Sequence, residues 1–163
     1  MAKIELPDHI LNALSTVLQQ LQQSLPELKQ IPDLSAHAYK WQQGELKPIH
    51  QLRQMELADL KGIERQKEKV IQNTLQFLNG LPANDVLLTG SRGTGKSSIV
   101  RALLTEYADQ GLRLIEIERD DLSDLPQIQQ LIAERPEKFI VYCDDLAFNA
   151  EDENYRSLKS VLD

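Results

Sequence analysis

The residues of this chain best suited to chemistry stand together at Gly90-Ser91-Arg92-Gly93-Thr94-Gly95-Lys96-Ser97. They fill every fixed position of the pattern G-x-x-x-x-G-K-[ST]. Glycines let a backbone curl until successive N–H groups point into one concavity, where anionic oxygens are held. A helix starting near Lys96 would add the partial positive charge of its N-terminus at the same place. In such a loop Lys96 reaches the β- and γ-phosphates of a nucleotide and the Ser97 hydroxyl coordinates Mg2+. Ser98 is placed to bond the α-phosphate. Ser91, Arg92 and Thr94 occupy variable positions and contribute backbone N–H groups, and the Arg92 side chain reads as a solvated loop charge. Average residue usage gives an accidental match in a chain this long a probability of roughly half a percent.

A phosphate loop of this kind needs a metal-orienting acid on a neighbouring strand. Phe139-Ile140-Val141-Tyr142-Cys143-Asp144-Asp145 has that form, an apolar run delivering carboxylates at its C-terminal end, the edge at which open parallel sheets bind ligands. Asp144 is assigned to Mg2+ through a bound water. Asp145 falls where a carboxylate would polarise an attacking water, and with Lys96 it completes the catalytic pair. Asp is one methylene shorter than Glu, and small displacements of a catalytic group cost rate. Three roles therefore stay open for Asp145: a slow base, a base working through an extra water, or a hydrogen-bonder outside the reacting atoms. Other candidates carry less. His9, His37 and His50 are scattered without metal-ligand spacing, Cys143 reads as a core thiol, and Glu118-Arg119-Asp120-Asp121 reads as a solvated charge cluster.

These groups need elements to position them. Asp85–Thr89 is a short apolar run, expected as the strand that leads into the loop. Residues 96–110 suit a helix with Ile99, Val100, Leu103, Leu104 and Tyr107 inward, closed by Gly111. Residues 113–118 alternate as a strand, 126–134 suit a helix opened by Pro126, and 139–143 form a more continuous apolar strand, as expected of one covered on both faces. Before the loop, Ile63, Val70, Ile71, Phe77 and Leu78 suit a helix stopped at Asn79-Gly80. Residues 152–162 look helical. At the N-terminus, Leu11, Leu14, Leu18, Leu21, Leu25 and Leu28 draw a narrow apolar seam over a helix at 8–25, and residues 30–56 read as loops with a short extended piece in which Trp41 packs. The order β-α-β-α-β-α predicts an α/β domain with a mostly parallel sheet. The expected division is an N-terminal helical segment and linker over 1–56 and the nucleotide-binding core over 57–163.

The chain has 163 residues, 41% of them hydrophobic and 26% charged, the balance of a globular protein. No apolar run approaches the ~18 residues of a membrane span, and MAKIELPDHI lacks the layout of a signal peptide. Cys143 is the single cysteine, so no internal disulfide can form. These features point to the cytoplasm and to no membrane partner. A net charge of −7 disfavours a nucleic-acid partner, whose affinity rests largely on cationic contacts.

Five segments together carry a resemblance: 57–67 (LADLKGIERQK), Gly90–Ser98, 107–115 (YADQGLRLI), Phe139–Leu146 and Tyr155–Leu162. Over residues 38–163 the chain resembles a bacterial family of AAA+-type predicted ATPases catalogued as a domain of unknown function. The resemblance implies a three-layer P-loop NTPase core of AAA+ type that binds Mg·ATP. It implies that Asp144 and Asp145 form the second acidic motif and that Leu60, Gly62 and Ile63 lie beside the adenine. In complete form such a protein hydrolyses ATP to remodel a protein partner, as a homo-oligomer. AAA+ sheets are similar to one another in strand order, 5-1-4-3-2, and continue past the acidic strand into a sensor strand, an arginine finger and a helical lid. None of those lies within these residues, so an incomplete core with weak or absent turnover is the expectation. Two other readings stand beside it: a nucleotide-binding switch or interaction protein without turnover, and a P-loop small-molecule kinase, in which Asp85–Thr89 would pair directly with 139–143. A GTPase is disfavoured by the absence of N-K-x-D and of a glycine in D-x-x-G register after Asp144 or Asp145.

Overall fold

The computed structural model describes residues 34–146. The helices expected at 8–25 and 152–162 lie outside the described residues. The described chain runs β1 (Ala38–Gln42), β2 (Glu45–Pro48), a 3-10 turn (Leu57–Asp59), α1 (Glu64–Leu78), α2 (Lys96–Tyr107), β3 (Leu112–Ile117), α3 (Leu125–Ile132) and β4 (Lys138–Cys143). The strands form one sheet in the order β2-β1-β3-β4. β3 pairs in parallel with β4, from Leu112↔Lys138 to Ile117↔Cys143, and β1 lies parallel to β3 on its other side. Among the described residues only the β1–β2 hairpin is antiparallel. This is the α/β architecture with a mostly parallel sheet that the order of apolar runs predicts.

Alternation along the strands sorts the core into two layers. Leu112, Leu114 and Ile140 face α1 and α2, where Ile99, Ala102, Leu103 and Leu104 are buried. Ile115, Ile117, Phe139 and Val141 face the opposite side, where Leu125 and Ile128 of α3 cover them with Tyr39 and Trp41. The middle strand β3 is accordingly the most deeply buried, whereas β4, an edge strand among the described residues, buries only Phe139 fully. Its continuous apolar run thus overstates how well its two faces are covered.

Helix boundaries follow the local signals. α1 ends in Asn79-Gly80, with Gly80 N–H on the Phe77 carbonyl at 3.0 Å and Leu81 N–H on Gln76 at 2.9 Å. α2 tightens into a 3-10 turn at Ala108–Gln110 before Gly111. Pro126 sits in the first turn of α3, where its missing N–H costs nothing.

Two segments differ from expectation. Residues 38–48, read as part of a linker, instead form the β1–β2 hairpin and extend the sheet. Gln43 and Gly44 both take positive φ, at 54° and 78°, the two-residue turn whose twist matches antiparallel strands. Trp41 anchors the hairpin at 0% exposure, its Nε1–H donating to Asp124 Oδ2 at 2.9 Å. Conversely, Asp85–Thr89 is not a strand. An apolar run becomes a strand only with a ladder partner, and among the described residues β4 pairs with β3 alone. The segment is tied at its start by reciprocal bonds between Asn73 and Asn84, at 2.7 and 2.9 Å, and then leaves Val86 49% and Leu87 74% exposed. The direct pairing of Asp85–Thr89 with β4 that a kinase-like strand order calls for is not seen.

Replacing Trp41 by Phe should lower unfolding free energy by about 1–3 kcal/mol, through the lost hydrogen bond and the volume left behind. Urea unfolding measures it, and a change under about 0.5 kcal/mol would show that the hairpin does not depend on this side chain.

Candidate functional site

The loop Gly90–Gly95 turns the chain from the exposed 85–89 segment into α2. Gly90 and Gly95 take φ of 146° and 88°, in the half of backbone space that side chains disfavour. A Cβ on Gly90 would meet Thr94 Oγ1 at 3.0 Å, so a side chain there would have to push the threonine aside. Thr94 Oγ1 in turn donates to the Ser91 carbonyl at 2.8 Å. Lys96 folds back over the loop, its Nζ donating to the carbonyls of Gly90 at 2.8 Å and Ser91 at 3.0 Å. The ammonium therefore sits at the mouth of the loop, and Gly95 caps α2 directly beneath it.

Across from the loop, the C-terminal end of β4 brings up Asp144. Ser97 Oγ donates to Asp144 Oδ2 at 2.7 Å, and the Asp145 N–H donates to Oδ1 at 3.0 Å. The Ser97 bond is the main reason the Asp144 carboxyl is held below its ordinary value, with the Asp145 amide, Tyr142 and the Lys96 charge adding to it against the cost of partial burial. Asp144 is an anion poised beside the Ser97 hydroxyl, two hard oxygen donors of the kind Mg2+ takes. Among the described residues no three of His, Cys, Asp and Glu gather into a cage; Mg2+ bound with nucleotide characteristically needs only one or two protein oxygens.

Asp145 lies further out. Its φ is 51°, and its Oδ2 faces Arg92 Nη2 at 3.9 Å, both side chains largely exposed at 79% and 96%. Arg92, read as a solvated charge, thus lies within ion-pair distance of the second acid, at a distance and exposure where such a pair adds little stability. Ser98 occupies the first turn of α2, half-buried.

The 60–63 segment comes to the base of the loop. A methyl on Gly95 would lie 3.6 Å from Ile63 Cδ1. Lys67 holds this segment by donating to the carbonyls of Leu57 at 2.9 Å and Leu60 at 3.2 Å, and Gly62 N–H donates to Glu64 Oε1 at 3.0 Å. Two stretches distant in sequence, 57–64 and 90–98, thereby meet.

Tyr142 precedes the acid by two residues and belongs to neither motif. It lies on β4, its ring packed on the α1–α2 side of the core. Burial is the main cause that pushes the phenol up to about 12, so it stays protonated. Cys143 points the other way, into the α3 layer, and burial pushes its thiol up to about 11, as suits a core thiol.

Among the described residues no helix is long and apolar enough to cross a membrane. Residues 34–163 match the family model described as "Protein of unknown function (DUF815)", in agreement with the resemblance drawn over 38–163. The chain is also 29% identical over 84 residues to the Replication factor C large subunit of Methanococcus maripaludis (strain C7 / ATCC BAA-1331), a stretch that covers 52% of this chain and 17% of that relative. The chain thus spans under a fifth of the length of the curated relative it matches. No solved structure matches it.

The Ser97 bond fixes the direction of one pH effect. Asp144 contributes stability that is complete above the ordinary carboxyl value of 3.8 and is lost as pH falls through its lower folded value. Carboxyl-carbon NMR should place the Asp144 midpoint below 3.8 in the wild type and move it upward toward 3.8 in Ser97→Ala; an unmoved midpoint would show that the hydrogen bond does not hold the carboxylate.

Proposed function

The chain belongs to the family described as "Protein of unknown function (DUF815)", and from that membership and the site we propose that it binds Mg·ATP as an AAA+-type nucleotide-binding module. The observation that carries the reading is the hydrogen bond between Ser97 and Asp144. It couples the hydroxyl of a complete phosphate-loop motif to the acid of a separate strand, 47 residues on in the chain. A helix cap or a turn would need neither the partner nor the lysine.

The donor set fits the group. The loop is closed on itself around Gly90, where a Cβ would crowd Thr94, and Lys96 bonds the Gly90 and Ser91 carbonyls at its mouth. Gly90, Ser91, Arg92, Gly93, Thr94 and Gly95 would hold the phosphates through their N–H groups, with Lys96 as the neutralising cation and Ser98 on the α-phosphate. Ser97 and Asp144 would hold Mg2+, and Gly62 and Ile63 would border the base. When bound, Mg2+ neutralises phosphate charge and ATP supplies the phosphoryl bond whose hydrolysis can drive work. Asp145 is the carboxylate that would take up a proton from water there, with Arg92 across from it at the loop's rim. We assign the module to the cytoplasm and to the remodelling of a protein partner, with assembly into a homo-oligomer.

Calorimetric titration of the full chain with ATP tests this. Mg2+ should strengthen binding. Lys96→Ala should weaken it about 10- to 100-fold, the worth of a charge-assisted hydrogen bond to phosphate, and Asp144→Asn should abolish the Mg2+ enhancement. Binding that survives Lys96→Ala unchanged would overturn the assignment.

A further inference from the structure

Residues 57–63 lead into α1, and apart from the 3-10 turn at Leu57–Asp59 they belong to no helix or strand. Their side chains and their backbone are held by different means. Leu60 is buried, Leu57 and Ile63 are half-buried, and all three pack on the core that includes Ile99, Leu103 and Leu104 of α2. A segment seated in this way must find partners for its carbonyls outside any ladder. Lys67 supplies them. It lies in the first turn of α1, where side chains lean toward the helix N-terminus. Its Nζ donates to the Leu57 carbonyl at 2.9 Å and to the Leu60 carbonyl at 3.2 Å, while Glu64 Oε1 accepts the Gly62 N–H at 3.0 Å. The strap so fixed ends at Ile63, whose Cδ1 would lie 3.6 Å from a methyl on Gly95. It is therefore a wall beside the phosphate loop, held from behind by one lysine.

We propose that Lys67 is a positioning residue of the nucleotide site: by bonding both carbonyls it holds the 57–63 strap against Gly95 as the apolar wall for the nucleoside, so that the site favours a nucleoside triphosphate over bare polyphosphate. The inference rests on the Mg·ATP reading above. Its reason is mechanical. Phosphate oxygens are met by the N–H groups of the loop itself, and the strap supplies none of those. A nucleoside leaving the loop gains by burying its apolar face, but a wall that must first be ordered on binding costs affinity. Without the ammonium, two carbonyls of the strap lose their donor and turn toward water instead, loosening Leu60 and Ile63. Among the described residues both side-chain hydrogen bonds of Lys67 go to the strap, whereas Lys96 bonds Gly90 and Ser91 of the loop. The two cations thus serve different parts of the site.

The test compares Mg·ATP with Mg·tripolyphosphate, each titrated by calorimetry into the full chain and its Lys67→Met variant. Met keeps the length of the stem and drops the ammonium. The wild type should bind Mg·ATP more tightly than Mg·tripolyphosphate. Lys67→Met should weaken Mg·ATP binding about tenfold, while tripolyphosphate binding moves less than about twofold. Equal losses for the two ligands in a folded variant, or no loss for either, overturn the proposal and leave the Mg·ATP reading standing. A wild type that binds tripolyphosphate as tightly as ATP does the same. Failure of the Mg·ATP reading shows elsewhere, as a wild type that binds neither ligand, and it overturns both. Should the variant not fold, the unmodified chain still decides. By NMR its Gly62 and Ile63 amides should shift with Mg·ATP and hold still with Mg·tripolyphosphate, and equal shifts with the two ligands overturn the proposal.

Discussion

A hydrogen bond of 2.7 Å from Ser97 to Asp144 is the constraint on which the site depends, because it joins the start of one helix to the end of one strand. Neither end has that position on its own. α2 is set by burying Ile99, Ala102, Leu103 and Leu104 against the sheet, and β4 is set by its six-residue parallel register with β3. A one-residue slip of β4 would turn Ile140 and Tyr142 to the α3 side and carry Asp144 away from Ser97. The apolar core thus selects the register, and the register delivers the acid. Burial at roughly 25 cal/mol per Å2 supplies this ordering. The exposed polar contacts at the loop mouth, such as Arg92–Asp145, supply little of it.

The rest of the sheet protects that arrangement. The β1–β2 hairpin covers the side of β3 away from β4, pinned by Trp41 and Asp124. Its outer strand, Glu45–Pro48, is four residues long, carries two exposed charges and ends in proline, features that discourage further strand pairing. The opposite side is barer. β4 is half-buried, and the approach to the loop exposes Val86 and Leu87. Order in the loop therefore comes from its own contacts: Thr94 on Ser91, Lys96 on Gly90 and Ser91, and Ile63 beneath Gly95.

Much of this was legible in the chain because it is encoded locally. Helix stops at Gly80 and Gly111, the proline start at α3, and the alternation of β3 are properties of neighbouring residues, and the phosphate loop is one contiguous motif. What was not legible depends on partners distant in sequence. Residues 38–48 look like a linker until β3 supplies a parallel neighbour for Tyr39 and Lys40. Asp85–Thr89 looks like a strand because its side chains are apolar, yet its backbone finds no ladder among the described residues. Within the site, the meeting of Ser97 with Asp144 follows from a motif and a strand end.

The most direct measurement of the account is a map of backbone amide shifts as Mg·ATP is added to the full chain. Successive N–H groups in the loop are the ligands that the geometry offers to phosphate. The largest changes are therefore expected at Gly93, Gly95, Lys96 and Ser97, with a second group at Asp144 and Asp145. Changes centred instead on the cleft between His37, Ile49 and Leu104, at the far end of α2, with the loop amides unmoved, would contradict the claim that this loop holds the nucleotide.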